Sequence, residues 1–501
     1  MSSWAASLAL VAVLTGVRGV DLPAATYRVD LFEQHGLTLW DSQWYGGHWL
    51  FDYSVLYAPI ASFGGVRATL VVCAAIAAWS FDRLAVERFG NAGRAGALVF
   101  ATGTLVPVAI GQGPYLMGET VALLALVAAT RRYWGFSLVL AAVCSFISPL
   151  AGAFLAIAAL AWLVGCWPDR RAVAAAVVLA AVVPIGVLEL LFPGQGTFPF
   201  STHNFVGMLV GAGSIAVVAA ATRERALTIG AAFYLLVMLV AYSVPSALGN
   251  NVTRMGISVG AALAVCLAWK ARPNARVLLG LAVAPVLLAQ WVPASAALRG
   301  AEGDLGVTAA YYQPLLRFMS RRDRPLGRIE VVPTALHWEA VYVALRFPLA
   351  RGWERQLDTA DNPIFYVHGT LTRTSYRAWL LRSGVRFVAL SDARLDYAAG
   401  LEAHLVRIGV PGLTLVWRSA HWRVYAVMGA AGILTGPGRL LSANGDEISL
   451  VARRAAPILV RVRYSSAWHA TGATLTRSSQ GWLTVLPRRS GRVTLKISLP
   501  I

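Results

Sequence analysis

Apolar stretches long enough to cross a membrane recur along the first three-fifths of the chain. One membrane-spanning α-helix needs about 20 apolar residues. The run 135–166 is too long for one passage, and Ser148-Pro149 near its middle predicts two short helices. The predicted spans are 4–20, 66–82, 95–111, 114–130, 135–148, 149–166, 172–192, 203–221, 226–246, 254–270 and 277–297. The pattern therefore predicts a polytopic α-helical membrane domain over 1–298 with about 11 spans.

After residue 298 the apolar runs become short and are separated by polar residues. Strand-like runs alternate with helical stretches such as Ser375–Leu381, which predicts an α/β domain over 299–429. From 430 onward, short alternating runs separated by Gly and Ser predict a β-sandwich-like domain over 430–501. The predicted strands are 328–332, 386–390, 413–417, 422–427, 458–464, 482–486 and 492–497.

Basic residues at the ends of the spans predict the orientation of the chain. With the N terminus in the cytoplasm, 12 basic residues fall on the cytoplasmic side and 4 on the other, as the positive-inside rule requires. We therefore expect a plasma-membrane protein with a first extracytoplasmic loop at 18–65 and extracytoplasmic C-terminal domains. A signal peptide is the alternative for residues 1–25, but the start Met-Ser-Ser-Trp lacks the basic segment that a signal peptide needs. The twelve are Arg83, Arg88, Arg94, Arg131, Arg132, Arg170, Arg171, Arg223, Arg225, Lys270, Arg272 and Arg276, and the four are Arg18, Arg28, Arg67 and Arg254.

The amino-acid composition excludes several classes of function. Charged residues are 13% of the chain, about half of the roughly 25% of soluble domains, so residues 1–298 are not a soluble enzyme. The cytoplasmic loops are short and lack a phosphate-binding glycine motif, which argues against ATP or a nucleotide-sugar as substrate there. Residues 299–501 carry 27 basic and 13 acidic residues. Such a surface attracts anions, and outside a membrane we expect lipid phosphate or acidic polysaccharide, not nucleic acid.

The first extracytoplasmic loop concentrates groups that could do chemistry. Asp21, directly after the first span, could accept a proton from a hydroxyl, or simply cap the following helix. Asp30 and Asp41 are further candidate catalytic acids. Aromatic side chains of this loop could stack on sugar rings or form an interfacial belt. The candidate substrate-binding residues of the loop are Arg28, Trp44, Tyr45, His48 and Tyr57.

Candidate binding residues also occur outside this loop. Tyr115 and Glu119 are one turn apart within a predicted span, where an ionisable residue is usually functional or paired, so they could line a substrate cavity. Glu189, near the end of its span, could be functional or could snorkel to the interface. His337 and Glu339, with Arg355 further on, lie in dense polar-aromatic clusters. These clusters could hold an acceptor glycan or a lipid phosphate, or form a structural ion-pair network.

The first loop resembles the GT-C superfamily of integral-membrane glycosyltransferases. The resemblance lies in Asp21 directly after the first span, Gly36 fifteen residues later, and the Tyr-rich stretch Tyr53–Pro59 before the second span. Trp40–Pro59 and the stretch beginning Ser148-Pro149-Leu-Ala-Gly are similar to a group of actinobacterial membrane proteins of this type with an outward C-terminal domain. The acidic doublet common in the family is absent, since Leu22 follows Asp21.

The resemblance implies a glycosyltransferase that uses a polyprenyl-phosphate sugar, with Asp21 as general base and inversion at the sugar. The acceptor would be a glycan or lipid of the cell envelope on the outer face. No cofactor is identified, and a divalent cation stays open. The alternatives are a membrane transporter or lipid flippase with an outward accessory domain, and a non-enzymatic scaffold that binds envelope glycan. Neither alternative gives a reason to gather Asp21, Asp30 and Asp41 with Tyr and His at one membrane face.

Overall fold

The structure, a computed structural model, divides the chain into two compact units. The first contains Met1–Ala25, Tyr53–Pro193 and Thr197–Arg299, and the second contains Thr26–Asp52, Gly194–Gly196 and Gly300–Ile501. The described residues are 1–165, 171–194, 196–271, 273–322 and 327–499. Cys166, which ends one predicted span, and the predicted cytoplasmic Arg170 and Arg272 lie outside the described residues. The division after Arg299 falls where the sequence pattern changes, but the first-loop residues Thr26–Asp52 group with the C-terminal region and not with the predicted 1–298 domain.

Helices make up the described part of the first unit. In chain order the α-helices to residue 301 are α1 (Ser2–Leu14), α2 (Leu22–His35), α3 (Tyr57–Ser62), α4 (Gly65–Phe89), α5 (Asn91–Gly103), α6 (Leu105–Ile110), α7 (Gly113–Thr130), α8 (Trp134–Ile147), α9 (Pro149–Gly165), α10 (Arg171–Leu191), α11 (Thr202–Ala221), α12 (Arg225–Ser243), α13 (Thr253–Met255), α14 (Ala261–Lys270) and α15 (Pro273–Ala301). The residues of α2 are shared between the two units.

Seven helical stretches in the described part of the chain are long and apolar enough to cross a membrane. They are α4, α5 with α6, α7, α10, α11, α12 and the stretch Gly249–Lys270 that contains α13 and α14. The apolar helices α1, α8 and α9 are shorter, and α15 covers the predicted span 277–297. The prediction of a multi-pass α-helical protein is confirmed, whereas the count of 11 spans stays a prediction.

The helix break at Ser148-Pro149 is confirmed. Ser148 is extended, with φ −150° and ψ 104°, as the residue before a proline prefers. Its hydroxyl oxygen accepts a hydrogen bond from the Ala151 backbone nitrogen at 3.3 Å and so caps α9. Two helices that are each short therefore replace one long passage.

A π-helical turn, Gly256–Gly260, interrupts the stretch Gly249–Lys270 between α13 and α14. The Tyr234 hydroxyl from α12 enters the hydrogen-bond ladder here. It donates to the Val252 carbonyl at 2.9 Å and accepts from the Gly256 nitrogen at 3.2 Å. A Cβ at Gly256 would lie 3.0 Å from this hydroxyl and 2.2 Å from the Met208 terminal methyl, so a side chain there would require Met208 to move. Inserted side chains are an established cause of such local deviations in helices, and π turns occur frequently at functional sites.

The second unit contains a short hairpin, a mixed sheet with helices, and two antiparallel sheets. The hairpin pairs β1 (Trp40–Asp41) with β2 (His48–Trp49). The mixed sheet has the order β3-β4-β6-β5, in which β3 and β4 are parallel and the other pairs antiparallel. Its strands are β3 (Arg328–Val331), β4 (Val385–Ser391), β5 (Leu413–Arg418) and β6 (Trp422–Val427). The accompanying helices are α16 (Ala309–Ser320), α17 (Glu339–Tyr342), α18 (Arg355–Asp361), α19 (Arg373–Arg382) and α20 (Gly400–Ile408). All four strands predicted between 328 and 427 are confirmed.

Residues 434–497 form two four-stranded antiparallel sheets. Alternation of buried and exposed positions, clearest along Ile458–Arg463, gives each sheet one apolar face. The strands are β7 (Leu434–Thr435), β8 (Gly438–Asn444), β9 (Glu447–Ala452), β10 (Ile458–Arg463), β11 (Trp468–Thr471), β12 (Ala473–Arg477), β13 (Trp482–Pro487) and β14 (Gly491–Ile497). Their orders are β12-β13-β10-β7 and β11-β14-β9-β8. The predicted C-terminal strand region is therefore confirmed.

The orientation predicted from the basic residues can be tested with reporter fusions. Fusions after Arg94, Arg132, Arg171 and Arg225 should report the cytoplasm, because the chain is expected to cross the bilayer twice between successive members of this set. Fusions after Ser201 should report the outside, because α10 crosses once after Arg171. A phosphatase reporter, active only outside the cytoplasm, measures this. An external reporter at Arg171 would mean that α8 and α9 together cross the membrane once.

Candidate functional site

Asp21 lies between α1 and α2, where the chain passes close to the end of α6. Its backbone nitrogen donates to the Ile110 carbonyl at 3.0 Å. A Cβ at Gly19 would lie 2.2 Å from the Ala109 carbonyl oxygen, and a Cβ at Gly111 would lie 2.4 Å from Leu22. Gly111 also has φ 88°, in the left-handed region. Two glycines therefore permit the close approach that fixes the position of Asp21.

The Asp21 carboxylate is held by an ion pair with Arg254. Arg254 Nη2 lies 3.1 Å from Asp21 Oδ2, and the two side chains are 17% and 16% exposed. The Gln112 side chain also hydrogen-bonds to this carboxylate. Burial raises the pKa of Asp21 above its usual range, and Arg254 and Gln112 oppose that rise. Asp21 is therefore a carboxylate of increased basicity with a cation beside it.

Polar side chains from α7 and the π turn continue from this ion pair. The Arg254 guanidinium carbon lies 5.7 Å from the centre of the Tyr115 ring, a cation–π arrangement. The Tyr115 hydroxyl lies 3.1 Å from the Ser258 hydroxyl, and Ser258 is also within reach of the Glu119 carboxyl. Glu119 is buried, and its Oε1 has no hydrogen-bond partner among the described residues. We call Asp21, Gln112, Tyr115, Glu119, Arg254 and Ser258 the Asp21 cluster.

The helix geometry explains why these side chains meet. Tyr115 and Glu119 are four residues apart on α7, and Arg254 and Ser258 are four residues apart along the other helical stretch, so each pair shares one helix face. Tyr57 also reaches α7, because a Cβ at Gly113 would lie 2.2 Å from the Tyr57 hydroxyl. That hydroxyl is buried and has no partner within the described part of the chain.

Sequence reasoning identified Asp21, Tyr115 and Glu119 but missed three members of this cluster. Arg254 was interpreted only as one of four basic residues outside, and Gln112 and Ser258 were not identified. The available signal was the spacing of Arg254 and Ser258, two polar residues four positions apart in an otherwise apolar stretch.

The other two candidate acids have different surroundings. Asp30 is partly exposed, and burial together with the neighbouring Glu33 carboxylate raises its pKa to about 6. Asp41 is 1% exposed. Its oxygens accept hydrogen bonds from the Tyr27 hydroxyl and the Gln43 nitrogen, both at 2.8 Å. Both of its oxygens are thus engaged in holding the β1–β2 hairpin, and its catalytic role stays a prediction.

Four candidate binding residues of the loop lie in or beside this hairpin, within the second unit. The Trp44 ring stacks on Tyr27 at 4.2 Å and lies parallel to His48 at 6.0 Å. The Tyr45 hydroxyl donates to the Glu354 carbonyl, and Arg28 forms an ion pair with the Glu354 carboxylate, each at 2.8 Å. These aromatic side chains are buried by protein, so they do not form an exposed belt.

Several buried polar atoms of the hairpin have no partner among the described residues. They are Trp40 Nε1, Ser42 Oγ, Gln43 Oε1, Trp44 Nε1 and both ring nitrogens of His48. Buried polar groups are normally hydrogen-bonded, and such a concentration is typical of a place that water or a ligand completes. A substrate-binding role for Trp44 and His48 therefore stays a prediction.

His337, Glu339 and Arg355 belong to a buried ionic network in the second unit. His337 lies 3.2 Å from a Glu339 oxygen and 3.4 Å from Asp396, and Arg355 lies 2.8 Å from the same Asp396 oxygen. Although burial opposes its charge, the Asp396 and Glu339 carboxylates raise the pKa of His337 to about 9. The Thr334 hydroxyl donates to Glu339 at 2.6 Å. The three candidates are therefore close together and already have charged partners.

The same network continues to Arg351, which is 4% exposed. Arg351 pairs with Glu330 at 2.8 Å, with Asp358 at 3.8 Å and with Glu402. Burial, opposed by Arg351, raises the pKa of Glu330 well above its usual range. Of the alternatives given for these clusters, the geometry favours a structural ion-pair network.

The described residues contain no group of three or more His, Cys, Asp or Glu side chains that could hold a metal ion.

Comparisons with known proteins find a similar solved structure but no match by sequence. No protein-family model matches the chain, and no curated protein matches it by sequence. The structure is similar to arabinofuranosyltransferase AftD from Mycobacteria, solved by cryo-electron microscopy as the mutant R1389S, with a TM-score of 0.47 and 12% sequence identity. The match covers 99% of this chain and 59% of the AftD chain. At this level of similarity, the activity has to be argued from the residues themselves.

The buried network predicts a large stability effect at Arg351. Arg351→Met should lower the free energy of unfolding by about 3–5 kcal/mol, because it leaves buried carboxylates without their cation. Arg346→Met, which removes an exposed arginine nearby in the chain, is the matched control and should change little. Thermal unfolding of the purified protein in neutral detergent measures both. Equal unfolding temperatures for the two variants would contradict a structural role for the network.

Proposed function

We propose that this chain is a membrane glycosyltransferase of the GT-C type. In this proposal it transfers a sugar from a polyprenyl-phosphate donor to a glycan or lipid acceptor of the cell envelope, on the outer face. One observation carries the proposal: among apolar helices, a carboxylate that follows the first helix is ion-paired with Arg254 and continuous with Tyr115, Ser258 and Glu119. Ionisable groups are costly in such surroundings and usually functional. The resemblance of the first loop to GT-C enzymes assigns the same carboxylate to the base.

Asp21 is the general base in this mechanism. It accepts the proton of the acceptor hydroxyl while the hydroxyl oxygen attacks the anomeric carbon. The bond between that carbon and the phosphate oxygen breaks, and polyprenyl phosphate leaves with the electron pair. A single displacement inverts the configuration of the sugar. No second carboxylate has to act as nucleophile, which fits a cluster in which Asp21 has a cation as its nearest charged neighbour.

Arg254 has a distinct part in this mechanism. A base acts only when it is deprotonated, and burial alone would raise the Asp21 pKa further. The guanidinium opposes that rise and so favours the ionised form of Asp21. We therefore assign Arg254 as a positioning residue that sets the basicity of Asp21.

The donor phosphate needs a cation that is not already neutralised. Arg28 is ion-paired with Glu354, so its charge is compensated. Arg67 is exposed near the start of α4 and, with Leu22, the residue after Asp21, lines a small cavity. We assign the donor phosphate to Arg67 for this reason.

The first test of the proposal is Asp21→Asn. Asparagine keeps the shape of the side chain but removes the proton-accepting charge, so transfer should fall about 10²–10⁴-fold while the protein still inserts and folds. Asp30→Asn is the matched control and should keep most of the activity. The measurement is sugar transfer from a lipid-linked donor in membranes that contain the variant, with protein amount and unfolding temperature checked in parallel. Normal transfer by Asp21→Asn would refute Asp21 as the base, and undiminished lipid translocation without any transfer by the wild type would favour a flippase.

Arg254→Gln should change the pH dependence of transfer. Without the guanidinium, the Asp21 pKa rises, so the acidic limb of the pH–rate profile should move to higher pH and part of the lost activity should return at alkaline pH. Arg254→Lys keeps the charge and should shift the limb less. A uniform loss across all pH values would contradict the assigned role of Arg254.

A further inference from the structure

Five arginines gather around Trp482 in the second unit, remote in sequence from the Asp21 cluster. They are Arg328 at the start of β3, Arg382 at the end of α19, Arg461 and Arg463 on β10, and Arg477 at the end of β12. The Arg463 guanidinium carbon lies 4.5 Å from the Trp482 ring centre and that of Arg328 lies 5.8 Å from it. We call these residues the Trp482 arginine cluster.

The innermost arginines are fixed by backbone carbonyls. Arg328 is 1% exposed and donates to the Ser383 carbonyl at 2.9 Å and to the Arg461 carbonyl. Arg461 donates to the Arg382 and Gly432 carbonyls at 3.1 and 2.9 Å. Carbonyls orient these guanidiniums, but unlike carboxylates they do not cancel their charge.

Among the described residues, Asp361 is the carboxylate that offsets this charge. It lies 3.0 Å from Arg463, which is 25% exposed. Burial and the neighbouring Arg463 and Arg461 lower the pKa of Arg328 to about 9, and burial also lowers that of Arg463. Arg382 and Arg477 add further repulsion to Arg463. The cluster therefore carries an excess of positive charge that its own residues do not neutralise.

The outer arginines converge on the Gly481 turn. A Cβ built on Gly481 would lie 3.9 Å from Arg477 Nη2 and 4.0 Å from Arg463 Nη1. Gly481 has φ 81°, a backbone conformation that favours glycine, and the missing side chain leaves this space open. Arg382 and Arg477 are exposed, so this side of the cluster can be reached from solvent.

We propose that the Trp482 arginine cluster is a binding site for a phosphate-type oxyanion, held at Gly481 by Arg477 Nη2 and Arg463 Nη1. Asp361 contacts the other terminal nitrogen of Arg463, Nη2, so Nη1 remains available. Guanidinium groups bind phosphate through paired N–H donors, and two of them face one point here. Buried Arg328 contacts no ligand but strengthens the positive potential through the water-excluded interior. The phosphate could belong to a lipid headgroup or to a soluble phosphate ester. The proposal does not depend on the proposed transfer reaction.

The test compares two phosphate probes on the full-length protein in neutral detergent. Inorganic phosphate and monomeric dihexanoyl phosphatidate are titrated by calorimetry at low and at high salt. Binding of both probes indicates a site for phosphate itself, and binding of phosphatidate alone indicates a lipid headgroup. Either result supports the site if the affinity falls as salt rises, as expected for exposed charges.

Substitutions then locate the site. Arg477→Gln should weaken binding about tenfold, the effect of losing one charge-assisted hydrogen bond. Arg489→Gln removes an equally exposed arginine from the same C-terminal region and should leave the affinity unchanged. Equal losses in both variants would mean non-specific attraction to a basic surface. No binding of either probe to the wild type would mean that the arginines only fix backbone carbonyls. Either of these two results overturns the proposal, and neither bears on Asp21.

Discussion

An ion pair among apolar helices is the interaction on which the proposed chemistry depends. In low-dielectric surroundings a lone carboxylate would take up a proton, and a lone guanidinium would be costly to bury. Asp21 and Arg254 form an ion pair at 3.1 Å, and each charge stabilises the other. The consequence is chemical as well as structural, because the guanidinium favours the ionised carboxylate while burial increases its basicity. Replacement of either partner should change the properties of the other.

The ion pair depends on a local irregularity of the backbone in each of the two segments that carry Asp21 and Arg254. Glycines at 19 and 111 allow the chain around Asp21 to lie against the end of α6. The Tyr234 hydroxyl interrupts the helical ladder at the π turn, directly after Arg254 and at the turn that carries Ser258. Regular helices could carry the same side chains, but their register would differ from the observed one by part of a turn. The irregular positions are therefore part of the site.

The sequence predicted what depends on local pattern and missed what depends on distant partners. Apolar length predicted the helices, Ser148-Pro149 predicted the break between α8 and α9, and alternation predicted the C-terminal strands. Arg254 pairs with Asp21, which is 233 positions away in the sequence. The periodic pattern of apolar residues does not indicate such a contact. The loop aromatics were expected near a surface, yet they are buried because Thr26–Asp52 groups with the C-terminal region. A prediction from local pattern groups a loop with its neighbours in sequence. In the structure, Thr26–Asp52 groups instead with residues that follow hundreds of positions later.

The arginines of the second unit show why burial alone does not identify a binding site. Arg351 is buried among Glu330, Asp358 and Glu402, and its charge is fully offset. Arg328 is just as buried, but its hydrogen-bond acceptors are carbonyls and its charged neighbours are Arg461 and Arg463. The first arrangement needs no anion, since three carboxylates surround its one guanidinium. In the arginine cluster, a bound anion would lower the electrostatic energy. The open space at Gly481 is where the guanidiniums of Arg463 and Arg477 would bind it. An anion-binding site thus differs from a structural network in two ways: its positive charge is not compensated by carboxylates, and an anion can reach that charge from solvent.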